Sequence, residues 1–359
     1  MNELRSLHID PVADPRYDAY VRAHPRATVY QVGAWARILG KCYRFQPRYL
    51  ALVDAHGNLH GVLPLLYKKG LVSDARMRSL PVFPAGGPLA DTPQHEVALV
   101  RAARDTLPED VHALAVVSPA NYSAALPDFV TDALPPRWML RVQPDLDQVR
   151  AGWRGTSKNL FRNLNKAEKA GLAFREGTSA RDLADFYRLY LRTMRKHRTL
   201  PRRLRQLQLT RDLLGPGEFR LFVVEHDGRM AAGGVFHVFG GTVELIYNGS
   251  DDSLLDLRPN YALYWNVMRW ADAHGHPTFD FGEASPKTSL GRFKAQWAEP
   301  VPNFRYTWRA GDSQSRAEAL AAASYDVEHG AGNRLLAAMW SHAPVQLTRL
   351  GAAVAYSYL

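Results

Sequence analysis

The densest group of chemically capable side chains lies at 279–297, FDFGEASPKTSLGRFKAQW. Asp280 sits in an apolar run that reads as a buried strand, and Glu283 follows Gly282 at its end. Lys294 comes next to Phe293, in the run Gly291-Arg292-Phe293-Lys294. A carboxylate at a strand end accepts protons, and a lysine beside it stabilises negative charge developing on an oxygen. A lone aspartate there is ordinarily a turn or capping residue. Its conjunction with Lys294 makes the segment a candidate catalytic site, with Asp280, Glu283 and Lys294 as its members.

A second group is basic. Arg154, Lys158, Arg162 and Lys166 follow one another at i, i+4, which on a single helix stacks four cations along one face. Arg195, Lys196, Arg198, Arg202, Arg203 and Arg205 crowd around Pro201. From Phe186 to Arg211 the chain holds no acid at all. The whole chain has 45 Lys+Arg against 35 Asp+Glu, a net charge of +10, yet Arg150 to Arg211 alone holds 17 Lys+Arg against four acids, +13, and the remaining residues sum to −3. A focused positive field of this kind attracts phosphates.

Other chemistries find no support. GxxxxGK[ST], GxSxG and HExxH are absent, so nothing points to a nucleotide-hydrolysing P-loop, a serine esterase or a zinc protease. The 13 histidines lack ligand spacing, and no metal is expected. One cysteine, Cys42, excludes an intramolecular disulfide framework and fits a reducing compartment. Neither a signal-peptide core at MNELRSLHID nor an apolar run long enough to span a bilayer is present. These features predict a cytoplasmic protein without a transmembrane segment, and the lack of a long exposed apolar run predicts a monomer.

The elements that must position these residues form a repeat. RYLALVDAHGNLHGVLPLLYKK from Arg48 reads as strand, turn and strand. RLFVVEHDGRMAAGGVFHVFGGTVELIYNGS from Arg220 repeats the pattern, with turns at Asp227-Gly228 and Gly240-Gly241 and a third strand at 242–247. Helices are expected over 31–39, 93–107, 180–194 and from Pro259 to about 271, and strands at 114–117 and 278–281. Helix, antiparallel meander, helix, strand is the order of a GNAT-type acyltransferase domain. The fold class expected is therefore α/β (α+β): two tandem GNAT-like domains, each a mixed, mostly antiparallel sheet flanked by helices. Boundaries fall at 1–145 and 146–310, with Pro135-Pro136 and Pro144 as the linker and 311–359 as a helical tail packing on the body.

Tyr247-Asn-Gly-Ser, RPNYALYWNVMRWA and FDFG…GRFKAQW together resemble the Fem family of aminoacyl-tRNA-dependent peptidyltransferases. The resemblance extends from about Thr28 to Trp308 through Gln31…Trp35, SLPVFPAGG and the basic helix before Ala170-Gly171-Leu172. It implies amide-bond formation: an aminoacyl group moves from charged tRNA to an amine, on a peptidoglycan precursor or a secondary metabolite. It makes Phe293-Lys294 a catalytic pair and places substrate contacts on Arg37, Arg202 (with Arg203 one place off), Tyr247 and Tyr264. Arg154, Lys158, Arg162, Lys166, Arg195 and Arg198 would hold tRNA or substrate phosphate. No cofactor is implied beyond aminoacyl-tRNA as co-substrate. Two family features are missing: Ser118-Pro119 stands where peptidoglycan-acting members have Asp-Pro, and no heptads between Gly171 and Gly217 build a helical arm.

An acyl-CoA-dependent N-acyltransferase is the alternative. Its pyrophosphate would need a glycine-rich helix start, but Arg258-Pro259-Asn260 has no glycine and lacks the donor at Pro259. A non-catalytic RNA-binding protein is the third reading, and it leaves Tyr247, Phe293 and Lys294 unexplained.

Overall fold

The computed structural model describes residues 4–69, 75–80, 85–142, 145–197 and 199–310. Arg198, Pro144 and the tail 311–359 lie outside the described residues.

The first lobe opens with β1 (Arg5–His8), α1 (Pro15–Ala23) and α2 (Ala34–Tyr43). Short strands follow: β2 (Gln46–Pro47), β3 (Leu50–Val53), β4 (Leu59–Leu63), β5 (Leu66–Lys68), β6 (Ala75–Arg78) and β7 (Leu89–Ala90). It continues with α3 (Pro93–Asp105), β8 (Val111–Ser118) and β9 (Val130–Arg141). The second lobe has α4 (Leu146–Thr156), α5 (Lys158–Glu168), β10 (Ala173–Glu176), α6 (Ala180–Lys196) and α7 (Leu204–Leu213). Its meander is β11 (Phe219–His226), β12 (Arg229–Phe239) and β13 (Thr242–Ser250). Then come α8 (Pro259–Ala273), β14 (Thr278–Glu283), α9 (Ser289–Lys294) and β15 (Glu299–Arg309).

Local chemistry accounts for these elements. Asp227-Gly228 and Gly240-Gly241 have positive φ at both turn positions, the geometry that lets a two-residue turn follow strand twist. Ser179 and Asp182 form a capping box at the start of α6, whose Leu183, Phe186, Tyr187 and Tyr190 face the meander. α8 starts at Pro259 and is buried along most of its length, as a helix wedged between sheet and α5 must be.

A four-stranded sheet runs β1-β3-β4-β7, and an eleven-stranded sheet runs β10-β11-β12-β13-β14-β9-β15-β8-β6-β5-β2. The two meanders therefore diverge. β3 and β4 stay in the small sheet while β5 crosses to the large one, with Pro64 between them, where a missing N–H ends the ladder. The lobes also exchange strands: β9 pairs with β14, and β15 lies between β9 and β8. Pro135-Pro136 is thus no linker. Both prolines sit inside β9 at the irregular part of its ladder with β15, where register shifts between Val301 and Asn303.

The basic helix is also corrected. Ser157 (φ −134°, ψ 60°) leaves helical geometry and divides the segment into α4 and α5. Only Lys158, Arg162 and Lys166 share a helix; Arg154 lies in the last turn of α4, over the Phe161 ring at 5.1 Å. The helix expected at 31–39 forms one turn later, as α2.

Candidate active site

β13 and β14 run parallel only from Thr242–Glu244 against Thr278–Asp280. Beyond that rung β13 is kinked by a register shift against β12 near Ile246, and β14 turns away toward β9, with a shift between Asp280 and Glu283. Gly282 makes the turn with φ +72°, a conformation that costs glycine nothing. The strands part beyond this rung, and the charged residues gather there.

Asp280 is fully buried. It is ion-paired with Arg137 of β9, and its Oδ1 accepts the Gly282 N–H at 2.7 Å. Arg137 also reaches Glu244 Oε1 at 3.3 Å, and the Tyr30 hydroxyl donates to that oxygen at 3.0 Å. Lys294, only 7 % exposed, donates from Nζ to the Glu283 carbonyl at 2.8 Å. The Glu283 carboxylate accepts from Asn303 Nδ2 at 2.9 Å. Three carboxylates and two cations thus share one partly dry site. Burial lowers the Lys294 pKa to about 8 against the opposing pull of Asp280, Glu283 and Glu244. Burial raises Glu244 to about 7, with Arg137 working against it and Asp280 with it. Both groups therefore sit where a proton moves readily near neutral pH.

Gly291 seats the short helix that carries Lys294. A Cβ there would lie 2.0 Å from the Ser285 carbonyl oxygen, so α9 reaches this close to the chain only because residue 291 has no side chain. Phe293 stands 5.4 Å from Tyr261 and 6.0 Å from Tyr264, and Trp297 completes the aromatic wall. Tyr264 is buried within it, edge-on to Phe281 at 5.6 Å.

The remaining candidates form separate groups. Tyr247 packs on Tyr190 at 5.4 Å and accepts a hydrogen bond from Gln206 Nε2 at 3.2 Å. Arg202 is held by its backbone: its N–H donates to the Tyr190 hydroxyl, and its carbonyl accepts from Tyr187. Arg37 is exposed on α2, which packs against α7. Tyr30 connects this region to the charged cluster, being within electrostatic reach of Tyr247 as well as Glu244. Lys158, Arg162 and Lys166 are exposed on α5, and Arg195 lies near the end of α6. A groove of about 420 Å³ lined by His8, Arg48, Tyr49 and Met77 holds none of these residues.

Sequence reasoning missed Arg137, Glu244 and Tyr30. Arg137 was hidden behind the prolines read as a linker. Glu244 had a signal, as the lone acid in the apolar strand Val243-Glu244-Leu245-Ile246.

The α8 N-terminus offers no phosphate cradle: Arg258 caps it in a left-handed conformation (φ 61°), and Pro259 occupies the first turn. Among the described residues no group of His, Cys, Asp and Glu is arranged to hold a metal ion, and no helix is long and apolar enough to cross a membrane.

Residues 154–294 match the family model of the acetyltransferase (GNAT) domain. The chain is 22 % identical over 319 residues to a UDP-N-acetylmuramoylpentapeptide-lysine N(6)-alanyltransferase from Weissella viridescens, covering 82 % of this chain and 91 % of that one. Its fold matches the crystal structure of FemX with a TM-score of 0.67 at 17 % identity, over 84 % of this chain and 96 % of that one. A tandem GNAT protein from the clavulanic acid biosynthesis pathway superposes with a TM-score of 0.52 at 15 % identity, over 87 % and 100 % of the two chains. The chain is an acyltransferase of tandem GNAT architecture. Within that class, the resemblance to the Fem family is borne out.

Proposed function

We propose that the protein is an aminoacyltransferase working in the cytoplasm, moving an amino acid from charged tRNA to an amine of a peptidoglycan precursor peptide or a secondary metabolite. The observation that carries this reading is Lys294: a buried ammonium at the parting of β13 and β14 with a pKa of about 8, in a chain similar along most of its length to an alanyltransferase.

An aminoacyl ester is already activated, so alignment of amine and ester supplies much of the rate, up to roughly 7–11 kcal/mol. The amine nitrogen attacks the ester carbonyl, the C–N bond forms, and the oxyanion develops beside Lys294. The C–O bond to the ribose then breaks, and the ribose oxygen takes a proton as it leaves. Lys294 can donate that proton, and the proton shed by the amine goes to a neighbouring carboxylate. Glu283 fits this role better than Asp280. Asp280 is occupied by Arg137 and the Gly282 amide, whereas the Glu283 carboxylate accepts from Asn303 and lies within electrostatic reach of Lys294.

The test is transfer of label from a mixture of radiolabelled aminoacyl-tRNAs to candidate amines, ribonuclease-sensitive and protein-dependent, beside an acetyl-CoA control. Label leaving tRNA for an amine supports the proposal and names the donor. Thioester consumption with untouched tRNA overturns it in favour of the acyl-CoA reading.

A further inference from the structure

The groove of about 420 Å³ on the first lobe has no part in the charged cluster. It lies between the end of β1, the junction of β2 and β3, β6, and the loop from α3 to β8. Ile9, Pro11 and Met77, all buried, give it an apolar lining, while Pro47, Arg48 and Thr106 are exposed at its rim. Val12, next to Pro11, is 51 % exposed and is one of two large apolar side chains so open among the described residues. A recess flanked by exposed apolar surface marks a contact site.

The described chain ends beside this groove. β15 runs out at Arg309, and Ala310 donates its N–H to the His112 carbonyl at 3.1 Å. His112 is four residues from Pro108, which lines the groove, a distance of at most about 14 Å along extended chain. The Val111 N–H is bonded to the Pro108 carbonyl at 2.9 Å, which draws the two closer. Residues 311–359 follow from that point.

Their sequence holds a stretch of matching character. From Leu335 to Thr348 there is no Lys, Arg, Asp or Glu. Leu335 and Met339, like Leu336 and Trp340, recur at the i, i+4 interval that gathers side chains on one face of a helix. Pro344 sets the limit of such a face. The residues between, 311–334, are mostly Ala, Gly and polar side chains. Even as a coil, that many residues reach roughly 25–30 Å, farther than the groove is from Ala310. A tether of this kind sets an effective concentration in the millimolar range, and a second copy of the chain would have to match it to compete.

We infer that residues 335–347 dock into this groove of their own chain, with Trp340 as the anchor on the side of Met77 and Pro108. An aromatic side chain set in a pocket is the usual centre of such a contact, and here an uncharged stretch meets an apolar lining. The inference stands apart from the function proposed above, since nothing in it depends on the donor or on Lys294.

The experiment is hydrogen–deuterium exchange, read by mass spectrometry on the full chain. In the wild type the amides of 335–347 are expected to exchange at least tenfold more slowly than in a synthetic peptide of the same sequence. The Pro47→Glu/Thr106→Glu variant puts two charges on the exposed rim. In it the stretch should return to within about threefold of the peptide rate, with the rest of the chain unchanged. Exchange at the peptide rate in the wild type, or slow exchange kept in the folded rim variant, overturns the inference. Should the rim variant fail to fold, p-benzoylphenylalanine placed at position 340 decides the site. Irradiation is expected to link it to residues 8–11, 47–49 or 106–108 of the same chain, and links elsewhere on the body overturn the groove. Links between isotope-labelled and unlabelled copies in a mixture give the face to a second copy. Slow exchange that appears only with phosphatidylcholine–phosphatidylglycerol vesicles gives the stretch to a membrane. Either of these results also overturns the inference.

Discussion

Burial moves Lys294 down to about 8 and Glu244 up to about 7, and the consequences have opposite signs. Lys294→Met keeps the bulk and removes the charge. It is expected to lower kcat by about 10²–10³ while leaving substrate affinity within a few-fold; a kcat within threefold of wild type would show that Lys294 is not the stabilising cation. The same assay across pH should show the rate falling as Lys294 loses its proton above about pH 8, a limb missing from the residual activity of the variant. Glu244 is raised to about 7 in the folded chain, above its unfolded value, so the folded state binds more protons between about pH 4.5 and 7. Its contribution to stability is complete below that window and is lost as pH rises through it. Glu244→Gln should therefore flatten the Tm–pH profile across the window and be relatively more stable than wild type above pH 7. At this scale the sequence disclosed one half of the cluster. Asp280, Glu283 and Lys294 lie within a single short segment, where spacing speaks. Arg137 is brought in from the other lobe by strand pairing, and Tyr30 by a helical turn at 29–31 packing against β12, neither of which a local pattern encodes.

Among the elements, α9 is the most tightly constrained in its seating. Gly291→Ala must push the helix away from the Ser285 carbonyl, at a cost of about 1–3 kcal/mol, and would carry Lys294 out of reach of the Glu283 carbonyl. Loss of kcat beyond the loss of Tm, measured on protein confirmed folded by circular dichroism, is the expected result; full activity would show that α9 tolerates the shift. Most helices and strands were legible because each has its own signal: a capping box at Ser179, glycine pairs at the hairpins, apolar alternation on β8. The break at Ser157 was not. Its flanks, Trp153 and Leu160, are both buried in the second-lobe core, and packing there bends a segment whose local sequence favours one continuous helix.

For the whole molecule the exchange of β9 and β15 matters most. Because β15 bridges β8 and β9 while β9 bridges β15 and β14, neither lobe's sheet is complete without the other's residues. Segments 1–145 and 146–310 expressed apart should be insoluble or molten, judged by loss of near-UV circular dichroism. The intact chain is expected to melt in a single calorimetric transition; two well-separated transitions would show that the lobes are energetically independent. The two-domain repeat was visible in the order of elements, but the exchange was not, since it depends on which edges the strands find. The same wiring sets a schedule for synthesis. β8 cannot acquire its second neighbour, β15, until residues 299–309 have left the ribosome, more than 150 residues after the end of β9. At roughly 5–20 residues per second, the unfinished edge of β8 waits on the order of 10–30 s. During that interval Arg76 and Arg78, on the strand beside the open edge, place positive charge next to it, and charge at an edge disfavours docking of a second chain.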